Sequence, residues 1–207
     1  AVKLATGDFT SALNDLNQAV ALGGANVELF LLRGACRLKL GKQAAALEDF
    51  DQALLLDPAS SAALLYRAST FSDQGLFDQA HADYDRVLEI SPHNLPALTG
   101  RGLIHLRQGR YEEAIGDLSL ALKQNPGEAS VYFNRGLAAR RLGREDQALA
   151  DFTAALEINP DLADAWRSRA LVFFDEGKFD QAVMDMDRLV ELKQQTAHDL
   201  FMPGAAL

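Results

Sequence analysis

Apolar and polar residues follow one another along this chain with the period of an amphipathic helix, and the helical stretches return at a fixed spacing. In each stretch an apolar periodicity of about 3.6 residues is interrupted by a glycine, and a second helical pattern continues to a proline. The pattern predicts a helix, a turn and a second helix, repeated along the chain. The turn glycines are 34 residues apart and are Gly7, Gly41, Gly75, Gly109, Gly143 and Gly177.

Alanine and proline keep the same register as the glycines. The alanines are Ala12, Ala46, Ala80, Ala114, Ala148 and Ala182, and the prolines are Pro58, Pro92, Pro126 and Pro160. Because a residue before proline is kept out of the helical region, the second helices are expected to end at Asp57, Ser91, Asn125 and Asn159. Glycine suits the left-handed conformation that ends the first helix. Oxygen acceptors stand where the second helix is expected to begin, at Thr10, Asp78, Glu112, Asp146 and Asp180.

Large and small residues alternate at set positions when each repeat is numbered from residues 27, 61, 95, 129 and 163. Position 4 is Phe30, Leu64, Leu98, Tyr132 and Trp166, position 8 is Gly34, Ala68, Gly102, Gly136 and Ala170, and position 24 is Leu16, Phe50, Tyr84, Leu118, Phe152 and Met186. The small residues at position 8 and the alanines named above, which occupy position 20, let two helices approach closely. The large residues at positions 4 and 24 fill the space beside them. This pattern resembles the tetratricopeptide repeat.

The resemblance implies an all-α fold, an α-solenoid of antiparallel helix pairs wound into a right-handed superhelix. We expect one array over residues 1–196, with a partial repeat at 1–26, full repeats at 27–60, 61–94, 95–128, 129–162 and 163–196, and a tail at 197–207. Gln194 and Gly24 replace the proline in the two terminal repeats, where atypical residues are expected.

A charged register accompanies the apolar one. Position 7 is Arg33, Arg67, Arg101, Arg135 and Arg169, and position 23 is Asp15, Asp49, Asp83, Asp117, Asp151 and Asp185. Positions 7 and 23 lie eight residues before and after the turn glycine, which occupies position 15. An antiparallel hairpin therefore places them opposite each other. We interpret them as structural ion pairs, and the alternative is a ladder of anion sites.

Composition narrows the function. The 207 residues carry 20 Lys and Arg against 29 Asp and Glu, a net charge of −9, and 48% are hydrophobic, which is too many for a disordered chain. The acidic balance disfavours nucleic acid and anionic membranes, and the basic residues Arg135, Arg140, Arg141 and Arg144 fall on different helix faces. No apolar run approaches the roughly 18 residues of a membrane span. Residue 1 is not Met, so we take the chain as a fragment of a longer protein. Separately, we expect a cytoplasmic protein.

Catalytic and metal-binding patterns are absent from the sequence. His81, His93, His105 and His198 have no metal-ligand spacing, and no glycine-rich phosphate loop occurs. We expect His105 and the single cysteine, Cys36, to be packed side chains rather than reactive ones. The sequence therefore predicts no enzyme, no metal and no cofactor.

The resemblance also implies where a ligand would bind. In tetratricopeptide repeat proteins the first helices line a concave groove that receives a peptide or helix of a partner protein. The matching candidates here are Leu65, Tyr66, Ser69, Asp73, Thr99, Leu103, Arg107, Phe133, Asn134, Leu137, Arg140, Arg141 and Arg167. Apolar anchors and arginines suit an acidic or amphipathic peptide. Only Asn134 fits the carboxylate clamp with which some members hold chaperone tails, which disfavours that role.

The leading interpretation is a noncatalytic scaffold for protein–protein interaction. One alternative is a regulatory or substrate-positioning region of a larger enzyme. A second is self-assembly through uncapped ends, because the last full helix carries Val183, Met186, Leu189 and Val190 without a normal capping pair after it. Residues of the tail, Phe201, Met202 and Leu207, would then fold over that face or dock on another copy.

Overall fold

The chain folds into helices joined by short turns, as seen in a computed structural model that describes residues 8–201, with side chains described through residue 192. Within that part of the chain there is no strand, which confirms the all-α prediction. The helices are α1 (Phe9–Ala21), α2 (Val27–Lys39), α3 (Gln43–Leu56), α4 (Ser61–Asp73), α5 (Phe77–Ile90), α6 (Leu95–Arg107), α7 (Tyr111–Gln124), α8 (Ala129–Arg141), α9 (Glu145–Ile158), α10 (Ala163–Asp175) and α11 (Phe179–Phe201). The predicted positions Gly7, Met202 and Leu207 lie outside the described residues, as do the side chains of His198 and Phe201.

Four of the helix pairs predicted from the repeat lie within the two compact units. In the compact unit that ends at Ile104, α2 packs on α3 and α4 on α5, while α2 also contacts α1 and α4 contacts both α3 and α2. In the compact unit that begins at His105, α8 packs on α9 and α10 on α11, while α8 also contacts α7 and α10 contacts both α9 and α8. Each of these four repeats is therefore a helix hairpin that packs on a helix of the repeat before it within its unit.

The turn residues end the helices where the sequence predicts. The five described glycines of the turn register, Gly41 to Gly177, have φ between +69° and +76°, the left-handed region in which a Cβ is unfavourable. The second helices of four repeats are capped at their C-terminal ends by Asp57, Ser91, Asn125 and Asn159, each directly before a proline. Helix α11 meets no proline, because Gln194 stands at that position, and it continues to Phe201.

The second helices begin one residue earlier than their acidic residues suggest. The N-caps of α3, α5, α7 and α9 are Lys42, Leu76, Arg110 and Arg144, none of which makes a side-chain cap hydrogen bond. In α1 the cap is Asp8 rather than Thr10, and its side chain accepts from the Ser11 N–H at 3.0 Å. Asp78, Glu112 and Asp146 lie in the first turn instead. There their charge interacts with the positive end of the helix dipole rather than closing the helix as a cap.

The core of each hairpin combines one small and one large residue. The position-20 alanines Ala46, Ala80, Ala114 and Ala148 are fully buried, as are Phe50 and Phe152 at position 24. A Cβ added to Gly34 would lie 2.4 Å from Cε1 of Phe50, so only glycine allows this approach of α2 to α3. Fully burying each phenylalanine side chain contributes about 1.5–3 kcal/mol to folding.

Candidate functional site

The arginine at position 7 pairs with the aspartate at position 23 of the same repeat. Nε and Nη2 of Arg135 donate to Oδ2 and Oδ1 of Asp151 at 3.0 and 2.6 Å. The same two-point contact joins Arg67 to Asp83 at 2.8 and 2.7 Å. It recurs for Arg33 with Asp49 and for Arg169 with Asp185. The prediction of a structural pair is confirmed in these four repeats.

Burial of the carboxylates explains why the pairs are needed. Asp49, Asp83, Asp151 and Asp185 are between 1% and 4% exposed, so their charges have lost most of their water. The hydrogen bonds to Asp83 and to Asp151 raise the pKa of Arg67 and of Arg135 respectively. Because each guanidinium fork is occupied by an aspartate of its own repeat, the pairs support a structural role over a row of anion sites.

A second arm of each arginine reaches the preceding repeat, which sequence reasoning missed. Nη1 of Arg67 donates to Asp51 at 2.6 Å, and Nη1 of Arg101 donates to Asp85 at 2.7 Å. The corresponding acceptors at position 25 are Asn17 for Arg33 at 3.4 Å, Ser119 for Arg135 at 3.1 Å and Thr153 for Arg169 at 3.0 Å. The signal was present in the sequence as a polar side chain 16 residues before every position-7 arginine. A position-7 arginine therefore connects the first and second helices of its own hairpin, and it also connects that hairpin to the preceding one.

In the first compact unit, the predicted groove residues lie on α4 and α6. Tyr66 is 42% exposed, and its ring stacks on that of Phe50 with a centroid distance of 5.3 Å. Ser69 and Asp73 are exposed on the same helix. Leu65, and Thr99 and Leu103 on α6, are half-buried.

In the second compact unit, the apolar candidates on α8 contribute to the core. Phe133 and Leu137 are half-buried and pack on the buried cluster that includes Ala148 and Phe152. The rings of Phe133 and Phe152 are 5.9 Å apart. Asn134 Nδ2 donates to the Ser130 carbonyl at 2.6 Å.

The arginines of the candidate groove are less available than their sequence suggests. Nη2 of Arg140 donates to Oδ2 of Asp175 at 2.9 Å, and Nη1 of Arg167 donates to Oδ1 of Asp164 at 2.6 Å. Arg107 and Arg141 are exposed. The basic stretch predicted in this half of the chain is therefore partly neutralised, by Asp164 three residues before Arg167 and by Asp175, whose contact with Arg140 the spacing did not reveal.

The two residues that were expected to be packed, His105 and Cys36, are both buried. His105 is 6% exposed, with Nε2 3.6 Å from Oδ2 of Asp117, as expected for a core histidine. Cys36 is 1% exposed, and burial raises the pKa of its thiol. Among the described residues no three His, Cys, Asp or Glu side chains lie close enough together to hold a metal ion. In the same part of the chain, no helix has the length and apolar character that crossing a bilayer requires.

Comparison with known proteins gives the same repeat. A sequence model described as "Tetratricopeptide repeat" matches residues 2–63, 37–94, 65–129, 99–163 and 133–196. No curated protein sequence matches the chain.

Solved structures with the same fold include MamA and YrrB. A crystal structure of MamA superposes with a TM-score of 0.75 at 23% identity, covering 80% of this chain and 96% of MamA. MamA 41-end from Desulfovibrio magneticus RS-1 gives 0.77 at 17% identity, with 82% and 96% covered. YrrB, described as a TPR protein with an unusual peptide-binding site, gives 0.72 at 18% identity, with 86% and 92% covered.

Proposed function

The chain belongs to the tetratricopeptide repeat family, and we propose that it is a noncatalytic scaffold that binds a peptide or helix of a partner protein on its first helices. The observation that carries the proposal is Tyr66, an aromatic side chain that is held against a buried ring and still 42% exposed. A tyrosine fixed in this way offers a large amphipathic surface at little cost in side-chain entropy. Such residues dominate the binding energy of protein interfaces.

The surroundings of Tyr66 define a surface on the first compact unit. Ser69 and Asp73 follow it at three and seven residues along α4 and are exposed. Helix α2, which contacts α4 directly, carries Leu32 at the same repeat position, and this leucine is 37% exposed. The surface therefore combines an apolar centre with polar groups at its edge, the composition of an interface for an amphipathic segment.

The second compact unit carries a charged surface of its own. Arg141 is exposed on α8, and its neighbour Arg140 is bridged to Asp175. In an exposed ion pair, a carboxylate of a ligand competes with the aspartate at little cost, because such pairs are worth about 0–1 kcal/mol. An acidic segment of a ligand therefore fits this surface of the second unit. The peptide-binding site of YrrB, a protein of the same fold, supports a peptide as the ligand.

The test is selection of peptides from a displayed library on the chain, followed by affinity measurements with two variants. Tyr66→Ala should weaken the selected peptides about tenfold to thirtyfold, the effect of losing an interface anchor worth about 1.5–2 kcal/mol. Leu55→Ala is the matched control, because Leu55 is 73% exposed on a second helix. Equal affinities of the wild type and Tyr66→Ala, or no enrichment of any peptide, would count against the proposal.

The charge of the ligand is tested separately. Arg141→Glu should weaken peptides that contain an acidic residue and leave unchanged the same peptides with that residue replaced by its amide. A loss that is equal for both peptides would contradict the assignment of Arg141 to a ligand carboxylate.

A further inference from the structure

The last hairpin carries an apolar groove between α10 and α11. Its volume is about 590 Å³. Three of its side chains, Phe174, Phe179 and Val183, are 57–60% exposed, and the rings of the two phenylalanines meet edge to face at 5.4 Å. Ala182, Met186 and Asp187 complete the side of the groove formed by α11.

The same repeat positions are covered elsewhere in the chain. Met186 at position 24 is 48% exposed, whereas Phe50 and Phe152 at that position are fully buried. The cover comes from position 10 of the following first helix. Val172 packs on Ala148 and Phe152 in one cluster, and Cys36 packs on Ala12 and Leu13 in another. The groove on α11 therefore has the shape that elsewhere receives a small or medium side chain of a first helix.

The polar edge of the groove points to the same occupant. Asp187 occupies position 25, which in each preceding repeat accepts a hydrogen bond from Nη1 of the position-7 arginine of the next first helix. Asp187 is exposed beside an apolar groove. A carboxylate in this setting favours a cation, and a guanidinium can bind it through two hydrogen bonds.

The apolar and polar contacts together fix a spacing. An arginine at position 7 and a small or medium residue at position 10 are three residues apart and share one helix face. All five first helices carry this pair, as Arg33 and Cys36, Arg67 and Thr70, Arg101 and Ile104, Arg135 and Ala138, and Arg169 and Val172. All five position-10 residues are at most 1% exposed, so this position is buried wherever a repeat precedes it.

We infer that the groove of α10 and α11 binds an amphipathic helix of a partner protein that carries arginine and, three residues later, a small or medium-sized residue. The helix lies where the first helix of a following repeat would lie. Its small residue fills the space between Phe179, Val183 and Met186, and its arginine binds Asp187. The net charge of −9 on this chain favours a basic partner helix.

A synthetic helix provides the test. The probe is a fluorescein-labelled peptide with the sequence of residues 127–143, which contains Arg135 and Ala138, held helical by a staple on the opposite face. Fluorescence anisotropy with the full chain should show saturable binding. Val183→Glu, which places a charge in the apolar groove, should abolish binding, and Asp187→Lys should weaken it about tenfold. Glu157→Lys, an equal charge reversal at an exposed position of α9, should leave the affinity within about twofold of the wild type.

A charge exchange identifies the contact. The peptide with Arg135→Glu should bind the wild-type chain at least about tenfold more weakly and regain affinity with the variant Asp187→Arg. Absence of binding, or affinities that do not change with Val183→Glu and Asp187→Lys, would overturn the inference. Circular dichroism of both variants confirms that the hairpin is folded, and Leu171→Glu, at another exposed residue of the groove, gives a second apolar test.

Three other outcomes also overturn it by naming a different occupant or site. Loss of peptide binding in Tyr66→Ala, with Val183→Glu unaffected, would place the peptide on the surface proposed for the partner peptide above. Concentration-dependent association of the chain that Val183→Glu abolishes would identify a second copy as the occupant. A gain of about tenfold in peptide affinity on removal of residues 202–207 would identify that segment as the occupant.

Discussion

Removal of one carboxylate from an arginine–aspartate pair tests how the repeats are held together. Asp151 is 3% exposed on α9 and accepts from Arg135 of α8 at two points. Asp151→Ala deletes both hydrogen bonds and leaves the guanidinium at the interface of the two helices. The structure predicts a large loss of stability, because the substitution leaves a largely buried charge without its partner.

The magnitude follows from what Arg135 retains. Breaking a buried ion pair costs about 3–5 kcal/mol when the remaining charge has no compensation. The Arg135 side chain is 20% exposed, keeps its bond to the Ser119 hydroxyl at 3.1 Å, and lies 5.5 Å from the centre of the Tyr132 ring. These contacts solvate part of the charge, so we expect the free energy of unfolding to fall by about 2–3 kcal/mol. Replacement of Arg135 by Met in the same chain should recover part of that loss, because it removes the unpaired cation.

Urea unfolding followed by Trp166 fluorescence measures the effect locally. Trp166 is the only tryptophan and packs on the cluster of Ala155 and Leu156 in the same compact unit. With a slope of about 2–3 kcal/mol per molar urea, the midpoint should move down by about 1 M. The neighbouring exposed carboxylate gives the control, and Glu157→Ala should stay within about 0.5 kcal/mol of the wild type. A midpoint of Asp151→Ala equal to that of Glu157→Ala would refute the reasoning.

Three further expectations concern packing and burial. Gly34→Ala places a Cβ 2.4 Å from the fully buried Phe50 ring and should destabilise the chain by about 1–3 kcal/mol. Gly116→Ala, in contrast, adds a Cβ in open space on α7 and should stabilise the chain by about 0.5–1 kcal/mol. Urea unfolding measures both changes. The Cys36 thiol should react with an aromatic disulfide about 100-fold more slowly in the folded chain than in urea, and equal rates would contradict its burial. Burial raises the pKa of Cys36 in the folded chain, so the unfolded chain loses the thiol proton first as the pH rises. The contribution of Cys36 to the free energy of unfolding should therefore be constant below the ordinary thiol pKa of about 8.5 and fall as the pH rises through that value. A comparison of the wild type with Cys36→Ala at several pH values measures this fall.

The contacts within a hairpin were predictable because local spacing sets them. Positions 7 and 23 lie at equal distances from the glycine of the turn, so an antiparallel pair of helices brings Arg135 and Asp151 together whatever the neighbouring repeats do. The end of each second helix was predictable for a similar reason. Proline constrains the residue before it, and the helices end at Asp57, Ser91, Asn125 and Asn159.

Contacts between repeats were not predictable from the same spacing. The polar residue 16 positions before each arginine marks a candidate acceptor, but the bond from Arg67 to Asp51 also depends on how one hairpin is rotated on another, which the spacing within a hairpin does not encode. The bridge from Arg140 to Asp175, 35 residues away, depends on it too and removes one charge from the predicted basic stretch. The candidate groove residues lie on first helices, and their role in binding stays a prediction, because the spacing does not show how available each side chain is.

The sequence by itself determined the repeat, its hairpins, its turn glycines and the pairing of charge inside each hairpin, since these follow from the period of 34 residues and the geometry of two antiparallel helices. Only the tertiary structure decided which side of each hairpin remains open. Phe152 and Met186 occupy the same position of successive repeats, and one is fully buried while the other is 48% exposed. The physical reason is that burial depends on the presence of a neighbouring surface, which the identity of a residue does not determine.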